Sequence, residues 1–243
     1  MLRQFKADLH VHTCLSPCTD LDMSPKRILA AAVKKKIDIL GICDHNSSAN
    51  SLAIMNAAKG MDIRVIPGME VTSQEEVHVV ALFGDVENAL KLQEHVYSRL
   101  PGENDEEAFG MQVIVNEKEE VLGFNEKLLV GATTIPLDDI LRLIHGFDGV
   151  SIASHIDREA FSILGQLGFI PENLELDALE ISPRISFAEA EKKYSTQYPI
   201  TCSSDAHYPD DIGKGFTCFL LKEGTVAEIR KALRDEDGRK VIH

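Results

Sequence analysis

Residues 5–45 read "FKADLHVHTCLSPCTDLDMSPKRILAAAVKKKIDILGICDH". An apolar run closes on His10 and His12, and a second, "DILGIC", closes on Asp44 and His45. Between them, "SPKRILAAAVKKK" predicts a helix with Ser24 as N-cap, Pro25 at the first helical position and lysines in the last turn. Strand, helix, strand is the unit of parallel sheets and β/α barrels. Histidines two residues apart on a strand point the same way, and each ring nitrogen there needs a partner. The pair is a liability in a core unless it binds something.

The rest of the chain repeats the unit. "NSLAIMNAAKG" predicts a helix ended by Gly60; "IRVIPGMEVT" and "VHVVALF" predict strands, and "VENALKLQEHVYSRL" a third helix. The rhythm breaks at about residues 101–135, an acidic loop followed by two β-like runs around "NEKEE", read as an inserted hairpin or flap. Helices "PLDDILRLIHGF", 159–167, "SFAEAEKKYS" and "TVAEIRKALRD" then alternate with strands "GVSIASH", "ALEIS", "ITCSSD" and "FTCFLL". The expected architecture is one α/β barrel domain over residues 1–243.

Composition narrows the partners. The net charge of −14 argues against extended nucleic acid and anionic membranes, which require clustered lysine and arginine. Hydrophobic residues at 44% suffice for a sizeable core, and no run approaches membrane-spanning length. Five cysteines without a regular framework, and an N-terminus lacking a signal-peptide pattern, predict a reduced, cytoplasmic protein.

Six of the nine histidines (His10, His12, His45, His78, His155, His207) lie in or just after predicted strands, most beside an acid or another histidine; His95, His145 and His243 do not. The groups "DLHVH", "CDH", "GME", "VHVV", "SHIDR" and "SSDAH" each fall at or near the C-terminal end of a separate apolar run. In a β/α barrel those ends converge on the active-site face. A lone strand histidine such as His78 is usually a satisfied core or edge residue, but burying so many imidazoles and carboxylates together without metal would be costly. His10, His12, His45, Glu70, His78, His155, Asp205 and His207 exceed one tetrahedral ion's needs. Two or three ions fit them, with Glu70 able to bridge two, and such a site suits phosphate ester hydrolysis.

This ordered set, HxH, DH, GxE, a strand histidine, a later histidine and DxH, resembles the polymerase and histidinol phosphatase (PHP) domain family. The resemblance implies a distorted (β/α)7 TIM-like barrel carrying up to three ions, usually zinc, manganese or iron, at the C-terminal ends of its strands. It implies that His10, His12, Glu70 and Asp205 hold one ion. Glu70 then bridges to a second completed by His78 and His155, and His45 and His207 hold a third. Many members place another His or Asp soon after HxH; here the region is "SPC", making Cys18 the candidate, with a small packing residue as the alternative. Asp20 or water would then complete that site. A thiolate would favour zinc or iron over magnesium.

Asp8 and Asp44 are candidates to orient imidazoles, with solvation or capping as the alternative. Arg158, beside His155, and Arg184, in "ISPR", could clamp phosphate, although a surface ion pair fits Arg184 equally. The expected activity is a metal-dependent phosphomonoesterase on a small phosphorylated metabolite. Glu70, Asp205, His207 and Arg158 carry the chemistry, Asp205 with His207 or a metal-bound water protonating the leaving oxygen. The alternatives are a phosphodiesterase or exonuclease on nucleotides or short oligonucleotides, and a metal-bearing regulatory module without turnover.

Overall fold

The computed structural model describes residues 1–194 and 197–242; Ser195, the end of one predicted helix, and His243 lie outside them. The strands are β1 (Arg3–Val11), β2 (Ile39–Ile42), β3 (Arg64–Thr72), β4 (His78–Leu82), β5 (Val113–Val115), β6 (Val121–Phe124), β7 (Val150–Ala153), β8 (Ala178–Ile181), β9 (Ile200–Cys202), β10 (Thr217–Leu221) and β11 (Lys240–Ile242). The helices are α1 (Pro25–Lys34), α2 (Ser51–Ala57), α3 (Val86–Arg99), α4 (Glu106–Phe109), α5 (Leu137–Gly146), α6 (Ile163–Leu167), α7 (Phe187–Tyr194) and α8 (Val226–Leu233). The strand β11 and the short α4 carry no clear signal in the sequence.

Nine of these strands form one sheet in the order β11-β10-β1-β2-β3-β4-β7-β8-β9. Phe5 and Leu9 of β1 share an apolar cluster with Val80, Leu82, Val150, Ile152 and Ala178 of β4, β7 and β8, although those strands lie far along the sheet. The sheet must therefore curl on itself. At the open seam the backbone of His12 donates to the carbonyl of Ala206 and that of Ala206 to the carbonyl of His10. The result is a nearly closed barrel in which β1–β4 and β7–β9 go round, while β10 and β11 extend it past β1 with antiparallel pairing. Amphipathic helices cover the outside: α5 buries Leu137, Ile140, Leu141 and Ile144, one stripe at helical spacing.

One departure from a parallel barrel decides the site. Only residues 73–77 separate β3 from β4, far too few for a parallel crossover, so β4 runs antiparallel to both β3 and β7. His78 therefore stands at the start of its strand, not at the end as its neighbours in the pattern do. Reversal of the strand brings that start to the same rim, opposite Thr72 in the register.

The insertion contains the expected hairpin, β5 paired with β6. It braces the loop between β1 and α1. The backbone of Val113 donates to the carbonyl of Cys14, and Asn50 bonds both the carbonyl of Val113 and the backbone N–H of Val115. Ser24 has the extended backbone of an N-cap but makes no capping bond of its own. Its hydroxyl donates instead to the carboxylate of Glu119 at the hairpin turn, which also accepts from the backbone of Lys26. The cap comes from a residue distant in sequence.

Candidate metal centre

Glu70 lies at the centre, buried near the end of β3. One carboxylate oxygen, Oε1, is 2.9 Å from His78 Nδ1, 3.3 Å from His155 Nε2 and 3.4 Å from His10 Nε2. The other, Oε2, is 3.1 Å from His45 Nδ1 and 3.6 Å from His12 Nε2. Five imidazoles, two of them from the end of β1 and one each from β2, β4 and β7, thus face one carboxylate. His207 joins from the loop after β9, its ring stacked on His12 with centroids 4.3 Å apart. All six histidines singled out in the sequence, with Glu70 and Asp205, meet at one end of the barrel.

The nitrogens facing away are tied. His10 Nδ1 bonds Glu180 Oε1 at 2.9 Å, and His207 Nδ1 bonds the carbonyl of Asp205 at 2.8 Å. His12 Nδ1 reaches Ser16 Oγ at 2.9 Å, and that hydroxyl donates to Asp44 at 2.6 Å, so Ser16 accepts from the ring. In all three rings the proton is fixed on Nδ1 and the Nε2 lone pair is left for a ligand. Asp44 thus orients His12 through Ser16. Asp8 touches no imidazole in this way; its carboxylate accepts from the backbones of Ser204 and Gly213 and anchors the loop bearing Asp205.

Glu180 and Ser16 escaped the sequence reading. Glu180 sits in an apolar strand, "ALEIS", where a lone carboxylate was the available signal; Ser16 gave none.

Among the described residues three groups bring their ligand atoms within 4.8 Å of one another: His10, His12 and Asp205; His45, Glu70 and His78; and His12, Cys18, His45 and His207. These differ from the family-derived sets in sharing His12 and His45 between groups. His155 is in none of these groups; its Nε2 faces Glu70 Oε1 and its ring packs against His10 and His78. The third group places Cys18 beside His45 and His207, whereas Asp20 is exposed and accepts from the backbone of Asp22.

The donor set fits cations. His45 Nδ1, His78 Nδ1 and Glu70 Oε1 are buried without a hydrogen-bond partner despite their short separations. These three atoms crowd together without bonding one another, as ligands around an ion do. Burial disfavours the Glu70 carboxylate, but His78 and His10 outweigh it and hold its pKa well below the usual range. Asp205 is held low against burial by His10 and His12. Cys18 is exposed at the surface, yet crowding by its neighbours pushes its thiol up; hydrogen bonds from His207 and His45 prevail and bring it to about 7. Anionic oxygens and a readily ionised sulfur beside clustered imidazoles make a site for a borderline-soft divalent ion.

His155, at φ 30°, and Asp205, at φ 49°, both occupy left-handed backbone that few such residues adopt. Strain of this kind persists where the surroundings enforce it. Arg158 is partly buried, its Nη1 2.5 Å from Asp205 Oδ2 and its Nε without a partner. Arg184 is exposed on the loop after β8 and does not enter the cluster.

Residues 8–166 match the PHP domain family and residues 191–237 the PHP-associated family. An uncharacterised protein of Methanocaldococcus jannaschii is 30% identical over 100 residues, covering 37% of this chain and 58% of that protein. A 5'-3' exoribonuclease of Haemophilus influenzae is 32% identical over 80 residues, covering 32% of this chain and 28% of the enzyme. The chain thus spans little more than half of the first relative and less than a third of the second. Among solved structures, the lesion-specific endonuclease Q of Pyrococcus furiosus superposes with a TM-score of 0.71 at 18% identity, covering 98% of this chain and 58% of that one. At that identity the likeness concerns the fold. No helix among the described residues is long and apolar enough to cross a membrane. With the PHP model matching residues 8–166 and the histidine and carboxylate motifs gathered on one rim, the chain belongs to the PHP domain family.

Proposed function

We propose that the protein is a phosphomonoesterase acting on a small phosphorylated substrate, with two or three zinc, iron or manganese ions as cofactors. The observation that carries this reading is Arg158, an arginine with an unpartnered buried Nε beside Asp205 at the edge of the histidine cluster. Its guanidinium, held at the cluster by Asp205, would hold a phosphoryl oxygen against the centre. His10, His12 and Asp205 would hold one ion, Glu70, His78, His45 and His155 another, and His12, Cys18, His45 and His207 a third. Bound divalent ions lower the pKa of water and neutralise phosphoryl charge. Glu180, Ser16 with Asp44, and the Asp205 carbonyl keep three imidazoles in the ligating tautomer. Asp205 also fixes Arg158, so the same carboxylate orders the cation site and the anion clamp.

A phosphodiesterase or exonuclease is the second reading, favoured by the nuclease relatives. Turnover of an aryl phosphate and a bis-aryl phosphate after loading with each metal separates the two. The monoester is expected to be hydrolysed faster, and faster diester cleavage would reverse the assignment. Arg158→Ala should raise KM and lower kcat/KM by about 10² to 10³, since a charge-assisted contact to a developing oxyanion is removed. A change below threefold would remove Arg158 from the clamp.

Cys18→Ser should lower bound metal by one ion per chain and leave the others, measured by elemental analysis. In cobalt-loaded protein it should also abolish a thiolate-to-cobalt absorption band. Because Cys18 is exposed, the alternative of a buried packing residue does not hold; full occupancy with no such band in the wild type would leave it a surface thiol outside the centre.

A further inference from the structure

Phe161 is an aromatic residue held where its fold alone gives no reason for it. It is 41% exposed, yet its ring stacks on His78 with centroids 4.7 Å apart and planes 15° from parallel. Among the described residues it is the one exposed aromatic ring stacked on a member of the histidine cluster. Its backbone has φ 57°, the left-handed region that bulky side chains avoid. Two bonds enforce that conformation. The backbone N–H of His78 donates to the Phe161 carbonyl at 2.9 Å, and Ser162 Oγ donates to the Arg158 carbonyl at 2.5 Å. One short loop therefore carries His155, Arg158 and Phe161 at intervals of three, locked against one another and against β4.

One face of the Phe161 ring is covered by His78, and the ring is otherwise exposed on the same loop that carries Arg158. A phosphate held by Arg158 would bring whatever it is esterified to toward that ring. A preformed, exposed aromatic ring stacked on the histidine cluster, with an arginine on the same loop held at that cluster by Asp205, supplies both halves of a nucleotide grip, phosphate by charge and base by stacking. Building on the phosphoesterase reading, we propose that Phe161 is the platform for a nucleobase, so that the substrate is a nucleoside phosphate, free or at the end of a short strand. Phe161 is a positioning and specificity residue; it does not touch the reacting atoms.

The chain contains no tryptophan, so Phe161→Trp provides a single emitting indole on the platform. Titration with adenosine 5'-monophosphate should quench its emission, whereas ribose 5-phosphate should not. Equal effects of the two, or none from either, would overturn the platform. In turnover, wild-type protein should prefer adenosine 5'-monophosphate over ribose 5-phosphate in kcat/KM. Phe161→Leu should reduce that preference by about tenfold or more, the size of one base stack, chiefly through KM, and Phe161→Tyr should restore it. Hydrolysis of both esters with no preference would refute the platform and leave the phosphoesterase reading intact. Quenching without hydrolysis of any phosphate ester would support the platform and refute that reading. Comparison with a 5'-phosphorylated trinucleotide distinguishes free nucleotide from strand end.

Discussion

Glu70→Gln should lower turnover by at least about 10³-fold, equivalent to roughly 4 kcal/mol of transition-state stabilisation. The substitution keeps the shape and removes the charge. Both Glu70 oxygens face imidazoles: His78, His155 and His10 around one, His45 and His12 around the other. An amide offers one oxygen, and its NH2 group would be directed at nitrogens whose lone pairs are needed for ions. Bound metal should therefore fall together with rate, by at least one ion per chain on elemental analysis. Circular dichroism should be unchanged, because the partners of Glu70 are other site residues and not the apolar core. Turnover within tenfold of wild type at full metal occupancy would show that Glu70 does not join two ions.

Gly41→Ala should destabilise the protein by roughly 3 kcal/mol, the upper end of overpacking costs, and lower Tm by about 10 °C for a chain of this size. Gly41 lies in β2 directly against β1, where an added Cβ would come within 2.7 Å of the Leu9 carbonyl carbon and overlap its oxygen. The neighbour is backbone and cannot rotate away. Leu9 immediately precedes His10, and the β1–β2 register shifts between Asp8 and Val11, so displacement there moves the HxH pair itself. Metal affinity should fall along with stability. Gly84→Ala is the control: nothing lies within 4 Å of its added Cβ and its φ is not positive, so its Tm should change little. A thermal melt of Gly41→Ala matching that control would show that β1 and β2 can separate without penalty.

Much of the barrel and most of the site were legible in the sequence because both depend on local pattern. Helices such as α5 and α8 announce themselves through apolar spacing, and the six histidines with Glu70 and Asp205 stand out because apolar runs seldom end in such groups. The hairpin insertion was visible as a break in rhythm, though its role as a brace was not. Cys18 could be weighed but not placed, since eight residues of loop can carry a thiol toward the rim or away from it. Glu180 was passed over because its role lies in its contact with His10, which is 170 residues away.

The sequence by itself determined the α/β alternation, the metal-binding chemistry of the strand ends and the family, since composition and spacing record which residue types must share a face. The tertiary structure alone decided the direction of β4 and hence how His78 reaches the rim. It also decided the closure of Val11 against Ala206, which brings Asp205 and His207 beside His10 and His12. The support of α1 by Glu119 and the stacking of Phe161 on His78 belong to the same class. These are contacts between segments far apart in the chain. Their energy comes from groups that meet only after the sheet has curled, so no local spacing encodes them.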